Sequence, residues 1–381
     1  MVDHRLPPGT AAHVETGTRS AYPRSAPPLP RLSTSPALFP LLLRGALLSP
    51  FKRARTDGSW APARLTLPGV RIDLAHLAAY ERVCGFPTEA TAAGADALPL
   101  TYPHVLAFPL ALRIMAARRF PLPLLGLVHT SVEITRRRSL SAHGEYEIAV
   151  GAEELAPHRA GTAVTLRTEF RDGDGRVVWE SSSTYVAKDR RGRRPDGTGK
   201  APRAANAGPT AAPEPALPTR AEWRLAHDVG RRYARVSGDC NPIHLYPFAA
   251  RLFGFPAAIA HGMWSVARCL AEQSARTGPG VRVRADFRAP LPLPSTVTYA
   301  AADDGRFELW SGGGSGEAGQ AEAGRARPHL SGAMRNLDDL GDLGDLDEAA
   351  RGLGGETCGP TGGTREWTSG EPSHEQKTNI P

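Results

Sequence analysis

The segment 237–244, which reads SGDCNPIH, contains a carboxylate and an imidazole that can share a proton, at Asp239 and His244. Such a pair exchanges a proton near neutral pH, so it can activate one water molecule by acid/base chemistry. Pro242 cannot continue a helix and favours extended backbone at Asn241, which predicts a bent loop carrying both side chains. An Asx turn at Asp239 and a half-buried histidine at 244 would explain the same residues without chemistry.

A second candidate lies where the segment 259–263, IAHGM, leads into an apolar helix around 262–275. The first amides of a helix have no partner within the helix, and they lie at the positive end of its dipole. A glycine at this point lets an oxygen atom approach the backbone closely. Gly262 therefore predicts an oxyanion-type site for a thioester carbonyl. Close helix packing at Gly262, with His261 bonding locally, is the alternative.

Together, the segments YARVSGDCNPIH (233–244) and IAHGM (259–263) resemble the MaoC-like family of (R)-specific enoyl-thioester hydratases and 3-hydroxyacyl-thioester dehydratases. The resemblance implies that Asp239 and His244 activate water, while the Gly262 amide holds the thioester oxygen. It also implies an α+β fold, the double hotdog, in which each of two repeats is a curved antiparallel sheet wrapped around a central helix. Asp239, His244 and His261 could also form a metal site, but the acid/base interpretation needs no metal and no cofactor.

A helix over 228–236 precedes the loop, because Val229, Tyr233 and Val236 recur on one helical face. Strands are predicted from alternating or β-branched runs at 128–135, 146–150, 163–170 and 177–186, and again at 281–287, 296–301, 307–310 and 329–334. A hairpin turn is predicted at 172–175, where the sequence is Asp-Gly-Asp-Gly. The order of helices followed by strands thus occurs twice.

Single residues repeat as well, since 80–86 aligns with 233–239 and 103–106 aligns with 260–263. This echo predicts an internal duplication. The first copy carries Phe86 and Thr91 at the positions of Asp239 and His244, and it has Val105 in place of Gly262. We therefore expect the first half to be a degenerate hotdog that shapes the acyl pocket and does not react.

Composition predicts where the domains begin and end. Stretches rich in Pro, Gly, Ser and Arg, together with a Leu-Gly-Asp repeat, predict a disordered segment at 1–35, a flexible linker at 188–219 and a disordered acidic tail at 336–381. The degenerate hotdog then covers 36–187. The catalytic hotdog covers 220–335 and includes a flexible insert at 311–327.

The formal net charge of the 381 residues is +7, but the basic excess lies in the segments 1–55 and 188–203. No folded part therefore offers a basic surface for a phosphate backbone, which excludes nucleic acid as a partner. The apolar stretch 36–50 is too short to span a bilayer. The four cysteines are too widely spaced for a zinc cluster or a dense disulfide framework. We expect a cytoplasmic protein.

The expected partner is an acyl-CoA or acyl-carrier-protein thioester, and a homodimer is compatible with the sequence. Substrate contacts are predicted for six residues: Ser237, Asn241, His261, Met263, Phe86 and Arg288. Arg288 could meet a phosphate of the carrier, although a solvated surface position explains it equally well. Two other functions stay open, namely an acyl-thioester-binding protein without catalysis and a hotdog thioesterase.

Overall fold

The computed structural model describes residues 30–52, 63–88, 97–153, 155–188, 217–312 and 327–340. Its strands are β1 Arg64–Arg71, β2 Leu127–Arg136, β3 Glu145–Ala152, β4 Ala156–His158, β5 Gly161–Arg171, β6 Val177–Lys188, β7 Thr219–Leu225, β8 Val281–Phe287, β9 Ser295–Ala301, β10 Arg306–Ser311 and β11 Arg327–Asn336. They form one antiparallel sheet in the order β1-β3-β5-β6-β2-β8-β11-β10-β9-β7, with β4 beside β5. The eight predicted strands are confirmed, each within two residues at either end.

Seven helices accompany the sheet in the described residues: α1 Leu38–Leu48, α2 Leu74–Cys84, α3 Tyr102–Met115, α4 Val229–Ser237, α5 Pro242–Leu245, α6 Pro247–Leu252 and α7 Gly262–Ala271. The central helices α3 and α7 are the most deeply buried. In α7, Val266, Ala267 and Leu270 recur at helical spacing and are all but inaccessible to solvent. This arrangement confirms the expected double hotdog, because each half has its own strands and one buried helix.

The predicted duplication is visible in the backbone of both halves. Helices α2 and α4 both end at a glycine in the left-handed conformation, Gly85 with φ 79° and Gly238 with φ 71°, a common way to end a helix. Tyr80 and Tyr233, which the sequence alignment pairs, are both buried, and their ring centroids lie 6.3 Å apart. The two repeats therefore face each other through equivalent residues.

The halves are joined through the sheet itself, because β2 pairs with β8 from Ser131 opposite Asp286 to Arg136 opposite Val281. In the middle of this seam, Ile134 lies opposite Val283, and both side chains are fully buried. Cross-strand apolar pairs of this kind are a main source of sheet stability. The seam makes the two half-sheets one continuous sheet.

Three strands were not predicted from the sequence: β1, β4 and β7. Strand β1 contains Pro68 and Gly69, which usually end a strand, but it lies at one edge of the sheet and has a register shift between Leu67 and Val70. An edge strand with a bulge tolerates proline because no second neighbour needs its amide. Strand β7 forms the opposite edge, where few apolar residues are required.

The structure describes only the end residues of the segments that were predicted to be disordered or flexible. Residues 30–32 lie beside β1, with the Leu32 amide donating to the Thr66 carbonyl at 2.8 Å, so the last part of the segment predicted to be disordered is bound to the sheet. Lys188 and Thr219, placed in the linker, end β6 and begin β7. Most of 1–35, 188–219, 311–327 and 336–381 lies outside the described residues, as does Thr91.

None of the helices in the described ranges combines the length and the apolar character that a membrane crossing requires.

The seam generates a first prediction. Ile134→Ala removes a fully buried side chain opposite Val283 and should lower the free energy of unfolding by about 2–5 kcal/mol, measured by urea denaturation. Val128→Ala is the matched control, because Val128 lies on the same strand with 37% of its surface exposed, and it should change stability by less than about 0.5 kcal/mol. An Ile134→Ala protein as stable as the control would contradict the importance of the seam.

Candidate active site

The loop between α4 and α5 begins at Gly238, whose left-handed backbone turns the chain out of α4. A side chain at this position would also meet Leu38 of α1, since an added Cβ would lie 2.1 Å from Leu38 Cδ1. The left-handed conformation favours glycine, whereas the Leu38 methyl group could shift to make room. Asp239 thereby leaves the helix at a defined angle.

Local hydrogen bonds hold the loop in shape. The Asn241 amide donates to Asp239 Oδ1 at 3.2 Å, and the Asp239 amide donates to Ser237 Oγ at 3.2 Å. Asn241 caps the short helix α5, where its Oδ1 accepts from the Ile243 amide at 3.4 Å. The Asx turn considered for Asp239 is therefore present, and it orients the carboxylate without burying it, because 31% of the Asp239 side chain stays exposed.

His244 is oriented by a backbone carbonyl. Its Nδ1 lies 2.8 Å from the Ile259 oxygen, and since a carbonyl only accepts, Nδ1 carries the proton and donates. The neutral ring then keeps a lone pair on Nε2. Burial lowers the pKa of His244, an effect that the Asp239 carboxylate and the Ile259 carbonyl oppose. The imidazole is thus held in the neutral form that can accept a proton.

Gly230 on α4 allows α5 to lie close to it. A Cβ there would come within 2.1 Å of the His244 carbonyl oxygen, so any other residue would push the His244 backbone away. The sequence analysis did not identify Gly230, because its role depends on two helices that meet only in the folded chain.

His261 lies beneath the pair. Its Nε2 donates to the Asp239 carbonyl at 2.9 Å, and its ring stacks on His244 with centroids 3.7 Å apart. Its Nδ1 is buried and has no hydrogen-bond partner among the described residues, and burial lowers the pKa of His261 well below its usual value. His261 is therefore a neutral support for both the loop and the His244 ring.

A metal ion could be considered at this point, because one ligand atom each from Asp239, His244 and His261 lies within 4.8 Å of the other two. In each imidazole, however, one ring N–H already donates a hydrogen bond to a backbone carbonyl. His244 Nε2, His261 Nδ1 and the Asp239 carboxylate then remain as possible metal ligands. The His244 and His261 rings stack on each other. The prediction that no metal binds stays a prediction.

Gly262 is the first residue of α7, and no side chain caps this end of the helix. The space over its α-carbon is occupied by Phe287 of β8, since an added Cβ would lie 2.7 Å from Phe287 Cε1. Both interpretations of this glycine thus hold structurally: it permits close packing, and it leaves the first-turn amides without a side-chain partner. Phe287 is a neighbour that the sequence analysis missed.

The first half also approaches Asp239. Burial lowers the pKa of His104 to about 4, and the Asp239 carboxylate partly opposes this shift. Burial raises the pKa of Tyr185, and the same carboxylate adds to this shift. The Asp239 carboxylate therefore acts electrostatically on His104 of α3 and Tyr185 of β6, two residues of the first half. Neither was selected from the sequence.

The remaining predicted substrate contacts lie in different surroundings. Phe86 stacks on Tyr80 with centroids 6.3 Å apart, Met263 is buried in the hydrophobic core, and Arg288 is half-exposed and bonds Ser331 Oγ at 2.8 Å. Ser237 and Asn241 use their side-chain oxygens on the loop backbone. Substrate contact by these five residues stays a prediction.

Comparison with known proteins identifies the family of this chain. The family model described as MaoC like domain matches residues 209–311. The chain is 34% identical over 306 residues to 3-hydroxyacyl-thioester dehydratase X of Mycobacterium tuberculosis, which covers 80% of this chain and 100% of that protein. The crystal structure of HtdX from the same organism has a TM-score of 0.56 at 32% identity and covers 72% of this chain and 100% of that one.

A MaoC-like dehydratase of Phytophthora capsici, 18% identical, has a TM-score of 0.52 and covers 74% of this chain and 98% of that one. This likeness concerns the fold alone. The 306 aligned residues are too many to omit either half of the 381-residue chain. The chain therefore belongs to the family of MaoC-like dehydratases.

Proposed function

We propose that this protein catalyses the reversible dehydration of (R)-3-hydroxyacyl thioesters to trans-2-enoyl thioesters. The proposal rests on one observation. The Asp239 carboxylate and the neutral His244 imidazole lie on one loop, and hydrogen bonds to the backbone hold both residues in place. The mycobacterial relative that shares this plan is named a 3-hydroxyacyl-thioester dehydratase.

The thioester carbonyl is assigned to the start of α7. When the C2–H bond breaks, negative charge develops on the carbonyl oxygen, and the Gly262 amide at the positive end of the helix is suited to meet it. An interaction that strengthens as this charge grows lowers the barrier and not merely the energy of binding.

The two side chains of the loop handle the protons. The neutral His244 ring takes the C2 proton at Nε2, and the pair returns this proton, from His244 or through Asp239, to the oxygen that leaves C3. The C2=C3 bond forms as the C3–O bond breaks, one water is released, and both side chains regain their starting protonation. Hydration is the reverse of these steps. His261 and Gly230 act through His244 and are positioning residues.

The CoA or acyl-carrier-protein form of the carrier, a cytoplasmic location and a homodimer remain predictions of the sequence. A hotdog thioesterase would use the same carbonyl site, and a protein that only binds acyl thioesters would keep it without chemistry. The hydrogen bond that holds His244 in a proton-accepting tautomer favours a catalyst over a binding protein.

Removal of either reacting group should abolish turnover. We expect Asp239→Asn and His244→Ala each to lower the rate of crotonyl-CoA hydration by about 100-fold or more, measured as loss of the conjugated enoyl absorbance. The neighbouring variants Asp228→Asn and His227→Ala, at positions outside the loop, should keep the wild-type rate. Either loop variant retaining half of the wild-type rate would contradict the assignment, and thiol release at the rate of substrate loss would identify a thioesterase.

The pH dependence should follow the lowered pKa of His244. The neutral ring is the reactive form, and burial keeps it neutral to lower pH than an exposed imidazole, whose pKa is about 6.5. We expect kcat/KM for hydration to be level from about pH 6.5 to 8 and to fall only at lower pH. An acid limb centred above about pH 7 would show that the imidazole is not in the buried, neutral state described.

A further inference from the structure

Beside the reacting groups, the first half places a row of polar side chains on the inner face of the sheet. His129 of β2 stacks on Tyr185 of β6, with centroids 4.4 Å apart at 14°, and it also meets Phe287 at 4.8 Å. Ser183 precedes Tyr185 by two residues on the same strand face. We call His129, Tyr185, Ser183 and Ser181 the polar row. Through Phe287, the row begins directly beside Gly262.

A β-bulge turns His129 into the interior. Val132 and Ile134 of β2 face the core, so in a regular strand the odd-numbered His129 would point to the opposite face. The pairing of β2 with β6 shifts between His129 and Ser131, which leaves Thr130 as an extra residue. The bulge reverses the alternation and puts His129 opposite Tyr185, and bulges commonly re-aim a side chain next to an active site.

The row contains polar atoms that the protein does not satisfy. His129 Nε2 and Ser181 Oγ are buried, and neither has a hydrogen-bond partner in the described part of the chain. The buried Ser183 hydroxyl lies close enough to the Tyr185 hydroxyl to lower the pKa of that group. A buried polar group without a partner destabilises the folded protein. A surface that only had to contact an alkyl chain would be more stable with apolar residues at these positions.

The imidazoles near this row carry no charge at neutral pH. Burial lowers the pKa of His129 to about 3, and that of His104, whose ring lies parallel to His129 with centroids 6.1 Å apart, to about 4. Neutral imidazoles and hydroxyls exchange hydrogen bonds with uncharged oxygen atoms, whereas a phosphate or carboxylate would be better met by arginine.

We propose that the polar row is a recognition site for an uncharged oxygen on the distal part of the acyl chain, so that the preferred substrates are 3-hydroxyacyl and enoyl thioesters with a further hydroxyl or keto group. The inference rests on the proposed function and names its substrate class. His129 and Ser183 are then the specificity-determining residues, contributed by the half that has no acid/base pair.

The direction of the bound chain supports the acyl tail as the source of this oxygen. The charged part of the carrier must stay at the surface, where Arg288, the residue after Phe287, is half-exposed in the catalytic half. The polar row meets the Phe287 ring through His129, in the first half and on the inner face of the sheet. A thioester held at Gly262 would thus extend its carrier toward Arg288 and its acyl tail toward His129.

The test compares substrates of one length on one carrier. Hydration is measured for trans-2-decenoyl-CoA and for the same chain with one hydroxyl or keto group at each position from C5 to C9. We expect one position to raise kcat/KM by about tenfold or more over the plain chain, because a site built to hydrogen-bond an oxygen rejects the analogue without it. Equal rates across the series would overturn the inference.

Variants assign the effect to the row. His129→Phe keeps a ring against Tyr185 and Phe287 but removes the nitrogen, and Ser183→Ala removes one hydroxyl with little change in volume. Each should bring the ratio of oxygenated to plain substrate close to one. His143→Phe, at an exposed position, is the matched control and should leave the ratio unchanged. Thermal unfolding confirms that each variant is folded.

The outcomes separate this inference from the proposed function. If folded His129→Phe and Ser183→Ala lose the same fraction of kcat/KM for all substrates, the polar row contacts the shared carrier or has a structural role. That result would overturn the inference. A protein that hydrates crotonyl-CoA without discriminating among the longer chains keeps its function and loses only this substrate class. If no enoyl thioester is hydrated, the proposed function fails and the inference fails with it.

Discussion

The antiparallel pairing of β2 with β8 is the interaction that joins the two halves of the protein. It makes one sheet from two half-sheets and aligns Ile134 with Val283 in the buried seam. Helix α3 packs on β1, β3 and β5 and helix α7 packs on β10, so this pairing fixes the register of the half-sheets that carry the two helices. A shift by one residue would exchange inner and outer faces along both strands, and Phe287 would no longer lie against Gly262.

Around this seam, the two halves share a backbone plan but differ in chemistry. Both α2 and α4 end at a left-handed glycine, yet only the second half continues into a loop with a carboxylate and an imidazole. The first half continues with Phe86, whose ring stacks on Tyr80. It supplies instead His104, His129 and Tyr185, which are polar but uncharged. At this end of the sheet, the second half thus carries a carboxylate and an imidazole, whereas the first half carries uncharged polar side chains.

The candidate site depends on backbone carbonyls as much as on side chains. The Ile259 carbonyl determines which nitrogen of His244 carries the proton, and the Asp239 carbonyl does the same for His261. Both carbonyls belong to the two segments that carry the family resemblance. The loop and the start of α7 therefore hold each other in place, and the hydrogen bonds that fix the proton positions are also the contacts that join the two segments.

The sequence by itself predicted eight of the strands from local patterns, and it predicted the double hotdog through short motifs that resemble a known family. The same motifs selected Asp239, His244 and Gly262, whose roles stay predictions. It did not reveal β1 and β7, since edge strands tolerate Pro68 and need few apolar residues. It also did not reveal Gly230, Phe287 or His129. Their importance arises from close approaches between distant segments and from a bulge that reverses the side-chain alternation, and only the folded chain determines such contacts.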